Sequence, residues 1–142
     1  MKTVAQLLKL KPAGVFSIRP DVQVLDALKL LAEKDVGAVL VMDGPRLVGI
    51  VSERDYARKV ALKGKSASDT PVSEIMTREV VCVKPTQTNE ECMALMTDKR
   101  ARHLPVIDNG GVVGILSIGD LVKDAISEQQ FIIEQLEHYI HR

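Results

Sequence analysis

Two short segments set a hydroxyl three residues ahead of a carboxylate: Ser52-Glu53-Arg54-Asp55 and Ser117-Ile118-Gly119-Asp120. The spacing suits the start of a helix. There the serine oxygen accepts a backbone N–H, and the acid sits toward the positive end of the helix dipole. A helix start with free N–H groups also suits an anion, so each segment reads either as a plain cap or as a binding site. Basic residues lie close by in sequence. Arg54 and Arg58 stand one turn apart after the first serine, and Arg100, Arg102 and His103 precede a strand in the second half. Guanidinium groups match phosphate by bidentate geometry; a solvated basic edge is the plainer alternative. Catalytic patterns are missing: there is no Gly-x-Ser-x-Gly elbow, no Walker A loop and no marked acid–base pair. We therefore expect no enzyme, no catalytic residue and no metal. His138 and His141, three apart near the end of the chain, read as surface residues rather than as a metal pair.

These segments belong to an internal repeat. Residues from Val15 onward match those from Val80 onward without a gap at a constant offset of 65 (20 to 85, 55 to 120). The offset carries Pro20 onto Pro85, Val41 onto Val106, Gly49-Ile50 onto Gly114-Ile115, Ser52 onto Ser117 and Asp55 onto Asp120. It also sets Gly119 opposite Arg54, Lys123 opposite Arg58, and Gly37-Ala38 opposite Arg102-His103, so the two copies are chemically unlike. Upstream, Val4–Leu8 matches Val72–Met76 at an offset of 68, which places about three extra residues near 11–14 in the first copy.

Each copy reads β-α-β-β-α. In the first, Val15–Ile18 is a short strand and Pro20-Asp21 turns it. Val24, Leu25, Leu28, Leu31 and Ala32 recur at helical spacing, and Gly37 is placed to end that helix. Strands follow at 38–42 and 47–51 around an Asp43-Gly44-Pro45 turn, and a second helix begins at Ser52. The second copy adds a Thr88-x-x-Glu91 capping box and an Asn109-Gly110 hairpin turn. After Asp120 helical periodicity continues to the end, with a break expected near Ser127. This terminal stripe either packs on its own domain or pairs with a second chain. The expected organisation is 1–62 as the first repeat, 63–71 as a small polar linker, 72–126 as the second repeat and 127–142 as a C-terminal amphipathic helix.

Composition narrows the function classes. With 19 basic and 19 acidic residues the net charge is zero, and aromatics are 3% with no Trp. A nucleic-acid partner and a stacking platform are therefore not expected. No run approaches the roughly 20 apolar residues of a membrane span, and Cys82 and Cys92 make no disulfide framework. The expected location is the cytoplasm.

Two β-α-β-β-α units, each ending in Gly-hydrophobic-hydrophobic-Ser-x-x-Asp, resemble a tandem pair of CBS domains. GIVSERD (49–55) and GILSIGD (114–120) are the signature segments, with RHLPVID (102–108) and VSEIMT (72–77) as further family-like stretches. The resemblance implies an α+β fold with α/β-type layers, in which two CBS repeats pack with pseudo-twofold symmetry beside the C-terminal helix. It also implies a stand-alone bacterial regulatory module. Such pairs hold adenosyl ligands in clefts between the repeats, here AMP, ADP, ATP or NAD(H) ahead of S-adenosylmethionine. Ser52, Arg54, Asp55, Arg58, Arg102, His103, Ser117 and Asp120 would serve ribose and phosphate, each Asp accepting from the ribose hydroxyls. Phe16, Ser17, Ile18, Gly37, Ala38, Val81, Cys82, Val83 and Ala101 would border adenine, although core packing accounts equally for Phe16, Ile18, Val81 and Val83. A homodimer and a protein effector are expected partners. The alternative is a ligand-independent dimerisation scaffold with vestigial sites.

Overall fold

A computed structural model describes residues 2–11 and 14–140. The chain has mixed helix and strand content, two small sheets and a C-terminal helix. It divides into two compact units, one of residues 14–80 and one that joins residues 2–11 to 81–140.

In the unit 14–80, β1 (Ser17–Ile18) runs parallel to β2 (Ala38–Asp43), and β2 pairs antiparallel with β3 (Arg46–Ser52). The parallel pair needs a crossover, which α2 (Val24–Lys34) supplies. Val24, Ala27 and Leu31 recur at helical spacing and are buried against Val39, Val41 and Val51 of the sheet. The helix ends at Asp35, whose φ of 51° supplies the left-handed cap expected of Gly37. Arg100 takes that same role in the second copy with φ 54°. After β3 comes α3 (Glu53–Tyr56), which passes directly into a π-turn over Ala57–Ala61 and points Val60 into the core.

The other unit contains α1 (Val4–Lys9), α4 (Asn89–Lys99), the hairpin of β4 (His103–Asp108) and β5 (Gly111–Ser117), and α5 (Ile118–Ile140). Its core is Val4, Leu7, Val83, Cys92, Met96, Leu104, Val106, Leu116 and Leu121. Burial pushes the Cys92 thiol up to about 11, with the Glu91 charge adding to the effect. Asn109 and Gly110 both take positive φ at the hairpin tip, as a two-residue type I′ turn requires. Thr88 caps α4, accepting the Glu91 N–H at 3.2 Å, while the Glu91 carboxylate accepts the Thr88 hydroxyl.

Several boundaries differ from the sequence reading, each for a physical reason. Val81–Val83 forms no strand, only an isolated parallel bridge from Val83 to Val106. In the first copy Leu40 N–H donates to Phe16 O at 3.1 Å. Its counterpart is Pro105, which has no N–H to give. α5 runs unbroken through Ser127, so the boundary expected between 126 and 127 falls inside one helix. Residues 2–11, grouped with the first repeat by sequence, pack with the second, while Val72, Ile75 and Met76 pack in the core of the first. The exchange is reciprocal in register. Val72 N–H donates to Val22 O as Val4 N–H donates to Gln87 O, and Ser73 to Pro20 O as Ala5 to Pro85 O. The 63–71 segment is likewise packed. Thr70 is buried, and the carbonyls of Thr70 and Ala67 accept the first N–H groups of α2 at 2.8 and 2.9 Å. The extra residues expected near 11–14 fall partly on Pro12 and Ala13, which lie outside the described residues, as does His141.

A buried polar junction ties the exchanged segment to α5. Asn89 Nδ2 donates to Leu121 O at 3.0 Å and to Asp124 Oδ2 at 2.7 Å, and Lys2 Nζ donates to Asp124 Oδ1 at 2.7 Å. Burial opposes ionisation of Asp124, but the bonds from Lys2 and Asn89 outweigh it and hold the carboxyl below its usual range. Asn89→Ala strips both buried acceptors of their amide donor. It should cost about 1–3 kcal/mol, measurable as a lower urea midpoint with unchanged slope. An unchanged midpoint would remove Asn89 from the stabilising network.

Candidate functional site

Both Ser-x-x-Asp segments form the expected capping arrangement, in the same detail. Asp120 Oδ2 accepts the Ser117 backbone N–H at 2.8 Å and the Ser117 hydroxyl at 3.0 Å, and that hydroxyl accepts the Asp120 N–H at 3.3 Å. In the first copy the corresponding distances are 2.9, 3.1 and 3.2 Å for Ser52 and Asp55. A hydroxyl three residues ahead of the acid lets each group satisfy the other's end of the helix. It also fixes the carboxylate at the strand-to-helix corner, where β5 meets α5 and β3 meets α3.

The two carboxylates then differ in their cations. Asp55 Oδ1 meets Lys59 Nζ of its own helical turn at 2.9 Å, and that ammonium also donates to Ile75 O at 2.9 Å. Both Asp55 oxygens are therefore engaged. At Asp120 the ammonium comes from the exchanged segment: Lys11 Nζ donates to Asp120 Oδ2 at 2.8 Å and to Ile115 O at 2.7 Å. Three donors converge on Oδ2, and none of these bonds uses Oδ1. Burial opposes ionisation of Asp120, but the bonds from Lys11 and Ser117 outweigh it and hold its carboxyl below the usual range.

Arg102 and His103 reach the same corner. His103 pairs with Ser117 in the β4–β5 register, and Arg102 O accepts the Ile118 N–H at the start of α5. Burial lowers the His103 pKa from 6.5; the positive charges of Lys11 and Arg102 lower it further and the Asp120 carboxylate raises it. In the first copy Ala38 and Gly37 hold these two places, Ala38 opposite Ser52 and Gly37 O accepting the Glu53 N–H. Arg54 and Arg58 are exposed on α3 and the π-turn that follows.

Of the residues expected beside adenine, Ser17 and Ile18 lie in β1 next to Leu40 and Val41. Phe16 carries Lys34 over its ring, 5.2 Å from the centroid. Val81 and Ala101 pack against the core of their unit, Ala38 and Val83 are buried, and Cys82 is exposed. Lys11 and Lys59 escaped the sequence reading. Lys59 stands four residues after Asp55, a visible ion-pair spacing; nothing local to Asp120 points to Lys11.

Comparison with known proteins identifies the family. The CBS-domain family model matches residues 12–62 and 72–126. A CBS-domain protein structure from Burkholderia ambifaria MC40-6 is 53% identical, covering 90% of this chain and 96% of that one at a TM-score of 0.87. The mitochondrial CBS domain-containing protein CBSX3 of Arabidopsis thaliana is 40% identical over 84% of this chain, which spans 61% of that relative's length. The structure of CBSX2 in complex with AMP is 28% identical, covering 91% of this chain and 99% of that one at a TM-score of 0.72. With two copies of the family model matched along it, the chain belongs to the CBS-domain family as a tandem pair.

Proposed function

We propose that the chain is a regulatory module, not a catalyst, that takes an adenine nucleotide at its Ser-x-x-Asp corners and passes a conformational signal to a protein partner. One observation carries the reading. A carboxylate kept ionised by its neighbours stands at a helix start, with one oxygen outside the capping bonds and a basic cluster beside it. Such a carboxylate accepts hydroxyl donors from ribose, and the cations face phosphate. The AMP complex of CBSX2 supports the ligand class. Within that class AMP, ADP, ATP and NAD(H) fit the basic corner better than cationic S-adenosylmethionine. The second-repeat corner, with Arg102 and His103, is the stronger phosphate site; the first offers the exposed Arg54 and Arg58 and a Lys59 already engaged by Asp55 and Ile75 O. The ligand signals only by binding two conformations unequally. The proposed setting is the cytoplasm, as a homodimer.

A thermal melt against AMP, ADP, ATP, NAD, NADH and S-adenosylmethionine tests this. A ligand at 100 times its dissociation constant adds about 2.7 kcal/mol, which should raise the midpoint by about 5–10 °C in a chain of this size. No response to any of the six would overturn the sensor reading. A second reading, a dimerisation scaffold, is favoured by α5 itself: Ile126, Phe131, Ile133, Leu136, Tyr139 and Ile140 are all exposed along it. That reading requires a stable dimer whose melting ignores every nucleotide.

A further inference from the structure

We propose that Lys11 is a displaceable stand-in for ligand at the second-repeat corner and makes that corner select phosphorylated over neutral adenosine compounds. The inference rests on the nucleotide reading above and extends it to a residue from outside the repeat's own gap-free span.

A carboxylate oxygen offers about two lone-pair directions, and Asp120 Oδ2 already faces three donors. A ribose diol can place one hydroxyl on Oδ1. The two hydroxyls of a vicinal diol span a carboxylate edge with one on each oxygen, so the second competes for the crowded Oδ2 and displaces one of its donors. The Ser117 N–H and hydroxyl are held by the cap geometry of α5, whereas Lys11 arrives on a flexible stem from the end of α1. Lys11 is the donor that yields.

Displacement does not release it. Its ammonium keeps the Ile115 carbonyl at 2.7 Å and gains a free N–H. It therefore stays at the corner beside the Arg102 charge and the His103 ring. A neutral adenosine loses by the exchange, because it breaks an ion pair and offers nothing in return. A phosphate gives the displaced ammonium a new anion. The first-repeat corner holds its cation differently: Lys59, tethered to Ile75 O, pairs with Asp55 Oδ1 and leaves Oδ2 to the cap bonds. There the carbonyl equivalent to Ile115 O is Ile50 O, and it accepts the Thr77 backbone N–H at 2.8 Å. The cation on Asp55 is Lys59 from its own helical turn.

The test compares adenosine with AMP by titration calorimetry, in an Asp55→Asn background that mutes the first corner. Lys11→Met should bind adenosine about threefold tighter, because a half-exposed ion pair no longer competes, and AMP about tenfold weaker, because a charge-assisted contact is gone. Lys11→Arg should keep AMP within about threefold of the parent. Ligand-free melting confirms that each variant is folded, and Lys11→Gln replaces the Met variant if that one is not. Opposite signs for the two ligands support the stand-in. Equal shifts, or none, with AMP still bound by the parent, overturn it and leave the nucleotide reading intact. A parent that binds neither compound overturns both.

Discussion

Asp120→Ala is expected to weaken AMP binding at the second-repeat corner by about 100-fold. Two ribose hydroxyls donating to an ionised acceptor contribute about 1.5 kcal/mol or more each, and a tenfold change in affinity corresponds to about 1.4 kcal/mol. The substitution also removes the acceptor for the Ser117 N–H and hydroxyl and frees Lys11. Some stability is therefore lost along with affinity, about 1 kcal/mol by analogy with other lost caps. Asp120→Asn separates the two effects. Its amide oxygen can still accept the capping N–H, while the negative charge that strengthens ribose bonding is gone. The alanine variant should melt lower without ligand and show a much smaller AMP response at that corner. The asparagine variant should melt near the parent and bind AMP more weakly. Should Asp120→Ala bind AMP as the parent does, in calorimetry with the first corner muted, the carboxylate would be a cap and nothing more.

The 65-residue offset made both carboxylates and their serines visible, because cap and acid lie within one helical turn and depend on nothing distant. The hairpin turns were visible for the same reason, as was the alternation of helix and paired strands. What stayed hidden was non-local. Lys11 lies 109 residues from Asp120 and outside the span that aligns at 65. Its role exists only because the leading segment of each repeat packs on the other repeat. Pro105 shows the converse. One residue without an N–H reduced an expected strand to a single bridge, although every apolar position of Val81–Val83 kept its pattern. The cap at Asp35 rather than Gly37 is of a third kind. A residue with a short polar side chain tolerates the left-handed region, and the helix ended where its apolar stripe ended, at Leu31 with Lys34 as the last turn's base.

The exchange also explains the glycine that opens each signature, and it yields the largest expected loss of stability. By strand propensity Gly49→Val should stabilise β3, since glycine weakens a strand and valine suits one. The structure reverses that sign. A Cβ at Gly49 would stand 2.7 Å from Met76 Sδ, 2.9 Å from Met76 Cγ and 3.1 Å from the Thr77 carbonyl oxygen. Met76 and Thr77 belong to the exchanged segment, and Thr77 is stitched to Ile50 by two backbone bonds of 2.8 and 3.0 Å. Methionine can bend away; the stitched carbonyl cannot move without breaking the bridge. Gly49→Val should therefore cost about 3 kcal/mol and lower the melting midpoint by about 6–12 °C. At Gly114 the neighbour is Leu8, through Cδ2 at 2.6 Å and Cδ1 at 3.0 Å, with no backbone atom among the nearest three. Gly114→Val meets only the movable end of a side chain and should lose less than Gly49→Val. Paired melts of the two variants read the difference directly. Equal losses, or a Gly49→Val midpoint at or above the parent's, would mean that propensity decides this position and that the close approach of the exchanged segment does not.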